Sequence, residues 1–385
     1  MNILAMMFHF PPMSGGGGVV AVELVNAFAK LGHRVSVITP NIEWSGPKYN
    51  PILHSNVSVF RVDVPAKNQI KLAARMCKRN LQNKGEHLDA KENFDFVFSI
   101  FHPFHLVAKA AVTCAKNLGI PSIIKIDDAV FQKASGLKSI QRKIEKTINA
   151  KTLQNASYLL VVNEQMKKTI TNYYNIKNQN ISIVPNGVDL SLFHQSDFHN
   201  QTSVTFSGAM YNHRGIDILL EAAPKVIEKI PNVKFNLIGD GPEINKLKDI
   251  SFKKNLSKNI FFKGWINREK IPQELFNSSI GIGPLKSTEV TTNALPIKVL
   301  EYMASSLPII AKAGTLPNDV LIDQKNGFFV KDSIDLADKL ILLLSDIELR
   351  EKMGKESHEM IKKFNWENIT SLIIDEYKKS QIKNN

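Results

Sequence analysis

Cysteine is nearly absent: Cys77 and Cys114 are the only two in 385 residues, and neither sits in a metal-ligand spacing. That usage excludes a disulfide framework and fits a reducing compartment. No apolar run approaches the roughly 18–20 residues of a membrane span. The opening "MNILAMMF" is short and lacks a basic flank, so a buried first strand is expected there rather than a signal peptide. No internal repeat recurs, and the only biased tract is a Lys/Asn-rich tail. The dinucleotide fingerprint is missing as well. "SGGGG" (14–18) lacks the G-x-G-x-x-G spacing and "VSVITP" ends without an acidic residue, which argues against an NAD site. The basic segments have no interleaved aromatics and no nucleic-acid motif, so nucleic acid is not an expected partner.

What is present is ordinary core material and an uneven charge. The chain is 43% hydrophobic and 22% charged, as soluble globular proteins are, and its length suggests two domains. The formal net charge is +13. Residues 1–190 hold 23 Lys+Arg against 12 Asp+Glu, whereas the remainder holds 26 against 24. A basic half beside a near-neutral half points to an anionic partner for the first half. Two segments there are amphipathic. In 67–84, Ile70, Ala73, Ala74, Cys77 and Leu81 form an apolar stripe beside Lys67, Lys71, Arg75, Lys78 and Arg79. In 138–151, Ile140, Ile144 and Ile148 oppose Lys138, Arg142, Lys143 and Lys146. Such helices are either plain solvated surface or a dock for an anionic membrane.

Strand and helix patterns alternate through both halves, which predicts parallel sheets covered on both faces. The first half reads "NILAMMF", a helix over 19–31, "HRVSVIT", "FDFVFSI", a helix near 104–117, "PSIIKI", "SYLLVV" and "ISIVPNG". After the polar stretch 194–202 the pattern restarts with "SVTFSG", a helix over 215–230 and "VKFNLIG", then "IFFKG", "SIGIGPL", "LPIIA" and "GFFV". The fold class is therefore α/β: two doubly wound, Rossmann-like domains, 1–193 and 203–363, with a cleft expected at the carboxyl ends of the strands.

Three places carry candidate chemistry. "SGGGG" sits at a strand-to-helix junction, where backbone N–H groups and a helix N-terminus meet anions. "FSGAMYNHRGIDILLEA" (206–222) puts Gly208 at a strand end and Arg214 at a helix start, a fork able to clamp a diphosphate. "NALPIKVLEYMASSLPII" (293–310) opens a helix at Pro296 and carries Glu301 within its first turns. A carboxylate there accepts two hydrogen bonds at once, as a ribose diol requires. The alternative is an intrahelical Lys298–Glu301 pair at spacing three.

Together these residues resemble the family-4 retaining glycosyltransferases of GT-B fold, which have two facing Rossmann-like domains. The resemblance runs over nearly the whole chain. It rests on the glycine pair with "LGHRVSVIT", then "VPNGVDLSLF", "FSGAMYNHRGIDILLEA", "VKFNLIGDGPEINKL", "NIFFKGWI", "PIKVLEYMASSLPII", "NGFFV" and "FNWENI", in that order.

The resemblance implies roles position by position. Gly15 and Gly16 match the glycines whose backbone approaches the donor diphosphate, and Gly208 belongs to the same donor site. Arg214 stands where a lysine usually neutralises the diphosphate. Glu301 matches the second glutamate of the E-x7-E motif, which holds the ribose. Trp265 and Ile266 lie where backbone meets the base, and Lys298 is a partner of Glu301 or a further cation. The helix at about 366–385 matches one that packs back on the first domain. The chain departs from the pattern at three points. The usual arginine after the second domain's first strand is Ala209. The first glutamate is either Asn293, eight residues before Glu301, or Glu289, reached by counting forward from Pro284. The usual sugar-contacting histidine is replaced by Asp127 and Asp128, to be read as a metal-binding pair, a sugar contact or an electrostatic partner of basic neighbours. His102 and His105 are acceptor-side candidates.

The resemblance implies a retaining, metal-independent transferase without cofactors, with Arg214, Glu301 and Asp127 at the reacting centre. It would move a sugar from a nucleotide-sugar to a glycan or lipid-linked acceptor in cell-surface polysaccharide or glycoconjugate synthesis, in the cytoplasm or peripherally on the membrane. A nucleotide-sugar epimerase and a catalytically silent membrane-binding member are the alternatives.

Overall fold

The computed structural model describes residues 1–128, 137–176, 180–195 and 202–384, without the side chains of 137, 138 and 380–384. Residues 196–201 of the polar stretch between the two patterns lie outside the described residues. The chain divides into two compact units, Met1–Asn186 with Trp366–Asn385, and Gly187–Asn365.

Unit 1 opens with β1 (Asn2–Met6), α1 (Gly16–Lys30), β2 (Arg34–Pro40), β3 (Val57–Val62), α2 (Ile70–Met76) and α3 (Lys78–Glu92). It continues with β4 (Phe96–Phe101), α4 (Val107–Leu118), β5 (Ser122–Ile126), α5 (Leu137–Gln154), β6 (Tyr158–Val161), α6 (Glu164–Tyr174) and β7 (Ile181–Ile183). Its sheet has the order β3-β2-β1-β4-β5-β6-β7 and every pairing is parallel. The central strands are apolar on both faces because helices cover both, so their sequences run hydrophobic without alternation.

Unit 2 restarts with β8 (Ser203–Ser207), α7 (Ile216–Lys229), β9 (Lys234–Ile238), α8 (Ile244–Lys253), β10 (Ile260–Gly264), α9 (Ile271–Phe276) and β11 (Ile280–Ile282). Then come α10 (Glu289–Asn293), α11 (Ile297–Ala304), β12 (Ile309–Lys312), β13 (Gly327–Val330), α12 (Ser333–Ser345) and α13 (Ile347–Ile361). The sheet order is β10-β9-β8-β11-β12-β13, again all parallel. Val204, Phe206, Phe235, Leu237 and Ile280 are fully or almost fully buried at its centre. Each such side chain contributes about 1.5–3 kcal/mol when removed from water. The last helix, α14 (Trp366–Asn384), returns to unit 1 and packs on α1. Glu376 accepts a bond from Ser182 at 2.7 Å, and the Tyr377 ring meets Phe96 at 5.0 Å.

Several local readings are corrected. β3 is missing from the strands read in the first half, although "VSVFRV" is rich in β-branched and aromatic residues; it lies at the sheet edge and is half-exposed along its length. The basic segment 67–84 is not one helix but breaks at Cys77, which is buried and whose thiol donates to the Ala74 carbonyl at 3.3 Å. In α5 the apolar stripe faces outward: Ile140 and Ile144 are each 57% exposed. The inward contacts of that helix come from Asn149, Thr152 and Leu153, with Asn149 donating to the Pro103 carbonyl at 2.8 Å. Pro296 is the N-cap residue of α11 rather than its first helical residue.

Candidate active site

In unit 2 the carboxyl ends of β8 and β9 converge on the start of α11. Gly208 and Gly239 follow those strands at φ of +124° and +125°, and a Cβ on Gly239 would stand 2.2 Å from the Gly208 carbonyl oxygen. Only glycine allows two strand ends to touch in this way. The Ser207 amide donates to the Tyr302 hydroxyl at 2.8 Å, which ties the end of β8 to α11.

Every residue of α11 from Lys298 to Ala304 is buried, its two charged groups included. Lys298 is 9% exposed and its Nζ lies 3.5 Å above the Phe206 ring. Burial, then the nearby Arg214, hold its pKa well below the usual lysine value, with Glu301 opposing. Glu301 is 4% exposed, and its carboxylate bonds the Arg268 guanidinium. The intrahelical Lys298–Glu301 pair, the alternative reading of this stretch, is not formed: Arg268 takes the carboxylate, and Lys298 turns to the aromatic face. Arg214 ends the tight turn 212–214 ahead of α7. Beside it His213 stacks on Tyr211 at 5.4 Å and 10°. Burial, then Arg214 and Lys298, lower the His213 pKa to about 4.

The two candidates for the missing glutamate separate clearly. Asn293 is 2% exposed and donates to the Glu289 carbonyl at 2.8 Å, closing the short helix α10. Glu289 is exposed in the first turn of that helix, behind the Thr288 cap. Trp265 is 41% exposed and Ile266 half-buried in the loop after β10, which leads directly to Arg268.

In unit 1, Gly15 caps α1 at φ +109°, and a Cβ on Gly15 or Gly16 would meet nothing within 4 Å. The helix starts with an open backbone and no acidic residue in its first turn, which suits an anion. His102 and His105 follow β4 and stack at 4.1 Å. A third imidazole joins them: His9, after β1, lies 4.9 Å from His105 and 5.7 Å from His102. Burial lowers His9 to about 4 and His102 to about 3, His9 adding to the second shift, and pushes His105 well below its usual value. At neutral pH the cluster is uncharged. The sequence reading missed His9, although "MMFHF" puts it just past the first strand.

Asp127 follows β5 and pairs with the fully buried Lys125, whose ammonium also donates to Asn186 Oδ1 at 2.7 Å. Of the three readings of the aspartate, the structure supplies the basic neighbour. The second carboxylate oxygen of Asp127 is buried without a hydrogen-bond partner among the described residues. The signal for Lys125 was its isolation within the apolar strand "SIIKI". Among the described residues no group of three or more His, Cys, Asp or Glu is arranged to hold a metal ion.

Comparison with known proteins bears on the family and the fold. Residues 14–192 match the model of Glycosyltransferase Family 4, and residues 191–360 that of Glycosyl transferases group 1. An uncharacterised glycosyltransferase of Methanocaldococcus jannaschii is 21% identical over 98% of both chains. The poly(ribitol-phosphate) alpha-N-acetylglucosaminyltransferase of Staphylococcus aureus is 28% identical over 59% of this chain and 45% of its own length. Among solved structures, sucrose-phosphate synthase from Thermosynechococcus elongatus superposes with a TM-score of 0.80 at 19% identity, covering 100% of both chains. Anabaena HepE in complex with UDP gives 0.74 at 14% identity, covering 98% of this chain and 100% of its own. Two parallel α/β units, family models that together span residues 14–360, and these neighbours make the chain a glycosyltransferase of family 4, with the GT-B fold.

Proposed function

We propose that this glycosyltransferase is a retaining enzyme. It moves a hexose-type sugar from a nucleotide-sugar to a glycan or lipid-linked acceptor, in cell-surface polysaccharide or glycoconjugate synthesis at the cytoplasmic face of a membrane. The observation that carries the reading is the grouping of Arg214, Lys298 and Glu301 around the carboxyl end of β8. Breaking the glycosidic bond of the donor leaves negative charge on the departing diphosphate. Fixed cations already aimed at that place stabilise the charge as it forms. Arg214 is the fixed cation, Lys298 is charged once the diphosphate lies against it, and the open backbone at Gly15 and Gly16 adds amide donors. Because side chains meet the charge, transfer is expected without a divalent ion or a cofactor. Glu301, oriented by Arg268, accepts the two ribose hydroxyls, and the loop at Trp265 and Ile266 receives the base. The acceptor hydroxyl attacks from the face that the diphosphate leaves, which preserves the anomeric configuration. Asp127, with one oxygen held by Lys125, turns the other toward sugar hydroxyls, and the neutral His102 and His105 lie on the acceptor side.

The relatives support this choice. HepE has been solved with UDP, and the Staphylococcus enzyme is named for transferring N-acetylglucosamine to poly(ribitol phosphate).

The membrane part rests on a separate observation. Ile140, Ile144, Leu72 and Met76 are 40–57% exposed on α5 and α2. These helices are linked by the Arg75–Glu145 pair at 2.8 Å and carry exposed Lys71 and Lys143. Apolar side chains among cations fit an interface with anionic lipid.

The test is a panel of UDP-, GDP- and ADP-sugars with the purified chain, product configuration being read by proton NMR. A product of retained configuration in the presence of EDTA is expected. Isomerised donor without transfer would instead establish the epimerase, and binding without turnover the silent member. Glu301→Ala with unchanged donor binding and turnover would remove the active-site assignment.

A further inference from the structure

Lys298 is a charged group without the partner that its burial demands. It is 9% exposed, and its Nζ reaches no hydrogen-bond acceptor among the described residues. Taking an ammonium out of water is costly unless an anion or several acceptors replace the lost solvation. Lys298 has instead the face of Phe206, 3.5 Å away, and the backbone of Gly208, where an added Cβ would stand 3.8 Å from Nζ. Arg214 is a second cation close enough to oppose its charge. Glu301 lies one turn further along α11, but its carboxylate is engaged by Arg268. At Ala209 the family's usual arginine is absent, and the ammonium of Lys298 stands beside the preceding residue, Gly208. The group that completes this arrangement is an anion able to meet both cations.

We propose that a nucleoside diphosphate binds against Lys298 and Arg214 with uptake of a proton by Lys298, so that this lysine sets how donor affinity depends on pH. The inference rests on the donor-site reading above and adds a regulation to it. Burial without a hydrogen-bond partner among the described residues and the neighbouring Arg214 both favour the neutral amine of Lys298 in the unliganded protein. When the diphosphate arrives, Nζ takes one proton from the buffer, its lone pair forms the new N–H bond, and no other bond changes. Burial and Arg214 depress the lysine in the empty site, and each phosphate oxygen brought against Nζ reverses that depression. The charged groups that bear on Lys298 are Arg214 from the turn before α7 and Glu301 from its own helix, the latter held by Arg268. His213 feels the lysine in return. β8, which carries no ionisable side chain, also packs on α11, as do α13, β11 and β12. Their ionisable side chains include Arg350, bonded to the carbonyls of Leu343 and Leu344, and Lys312, bonded to that of Lys331; none of them shifts Lys298.

The test is calorimetric titration of the full chain with UDP, GDP and ADP at about pH 8, where the free nucleotide's terminal phosphate and the histidines have lost their protons. Each titration is run in two buffers of different ionisation enthalpy. The wild type is expected to take up a measurable fraction of a proton, up to one, per nucleotide bound. Lys298→Arg stays charged throughout and is expected to bind without uptake. Lys298→Met is expected to bind roughly 10–100-fold more weakly, also without uptake, since a charge-assisted contact is lost. Wild-type binding with no buffer dependence, or Lys298→Met retaining uptake or full affinity, overturns the inference and leaves the donor site standing. If none of the three nucleotides binds the wild type, the donor-site reading itself falls. Circular dichroism checks each variant, and Lys298→Arg carries the test if Lys298→Met does not fold.

Discussion

The guanidinium of Arg268 holds the carboxylate of Glu301, with side-chain exposures of only 17% and 5%. Thirty-three residues apart in sequence, they join the loop after β10 to α11. An unpartnered Glu301 would be free to rotate or to turn toward Lys298. Arg268→Ala is therefore expected to raise KM for the donor about tenfold, a loss of about 1.4 kcal/mol, with a smaller change in kcat. Arg268→Lys should recover part of it, because a point charge replaces the fork. Initial-rate kinetics over donor concentration is the check, and an unchanged KM would leave Arg268 a merely structural residue.

Acid should weaken unit 1 through its imidazole cluster. His9 and His102 have folded pKa values of about 4 and about 3, below the ordinary 6.5, because burial disfavours the charged ring. Below pH 6.5 the unfolded chain binds protons that the folded one refuses. Stability is full above that pH and falls as the pH drops toward the folded values. The slope is about 1.4 kcal/mol per pH unit for each proton so excluded. Urea midpoints measured between about pH 7.5 and 5 should fall in the wild type and fall less in His102→Phe. Parallel profiles would show that the ring stack titrates normally.

Lys125 and Asp127 should be coupled. Removing one member of a buried ion pair leaves an uncompensated charge, at about 3–5 kcal/mol, whereas removing both is far milder. Lys125→Met is expected to be less stable than the double variant Lys125→Met/Asp127→Asn. Chemical denaturation of the two proteins decides this, and additive losses would mean that the contact carries no coupling energy.

On α5, Ile140 and Ile144 are so exposed that replacing both by Glu should leave the melting temperature within experimental error. The same change should abolish sedimentation with vesicles containing anionic lipid at low salt, where screening is weakest. Wild-type protein that ignores such vesicles would end the membrane reading, whatever the outcome with soluble acceptors.

Much of the architecture was legible locally. β1, β4 and β5 announce themselves as apolar runs, and the restart at "SVTFSG" marks the second sheet. Gly208 and Glu301 stand out by their place at a strand end and within the first turns of a buried helix. What stayed hidden depends on partners far along the chain. The sequence "VSVFRV" marks β3 as a strand, but its place at the sheet edge beside β2 is set by the topology. Lys125 and Asn186 meet across 61 residues, and His9 meets His102 only because β1 and β4 are neighbours in the sheet.

The sequence by itself determined the two α/β patterns, the family and the positions at which donor chemistry is to be sought. Those follow from spacing, and spacing is local. The tertiary structure decided how the charges at those positions are partnered. It gave Glu301 to Arg268 instead of Lys298, and left Lys298 buried over Phe206. It also left Ile140 and Ile144 exposed, a point that the helical stripe alone leaves open. The physical reason is the same in each case. Helical spacing states which side chains share a face, but only the packing of other elements on that face settles whether a charge meets a partner there and whether an apolar group leaves water.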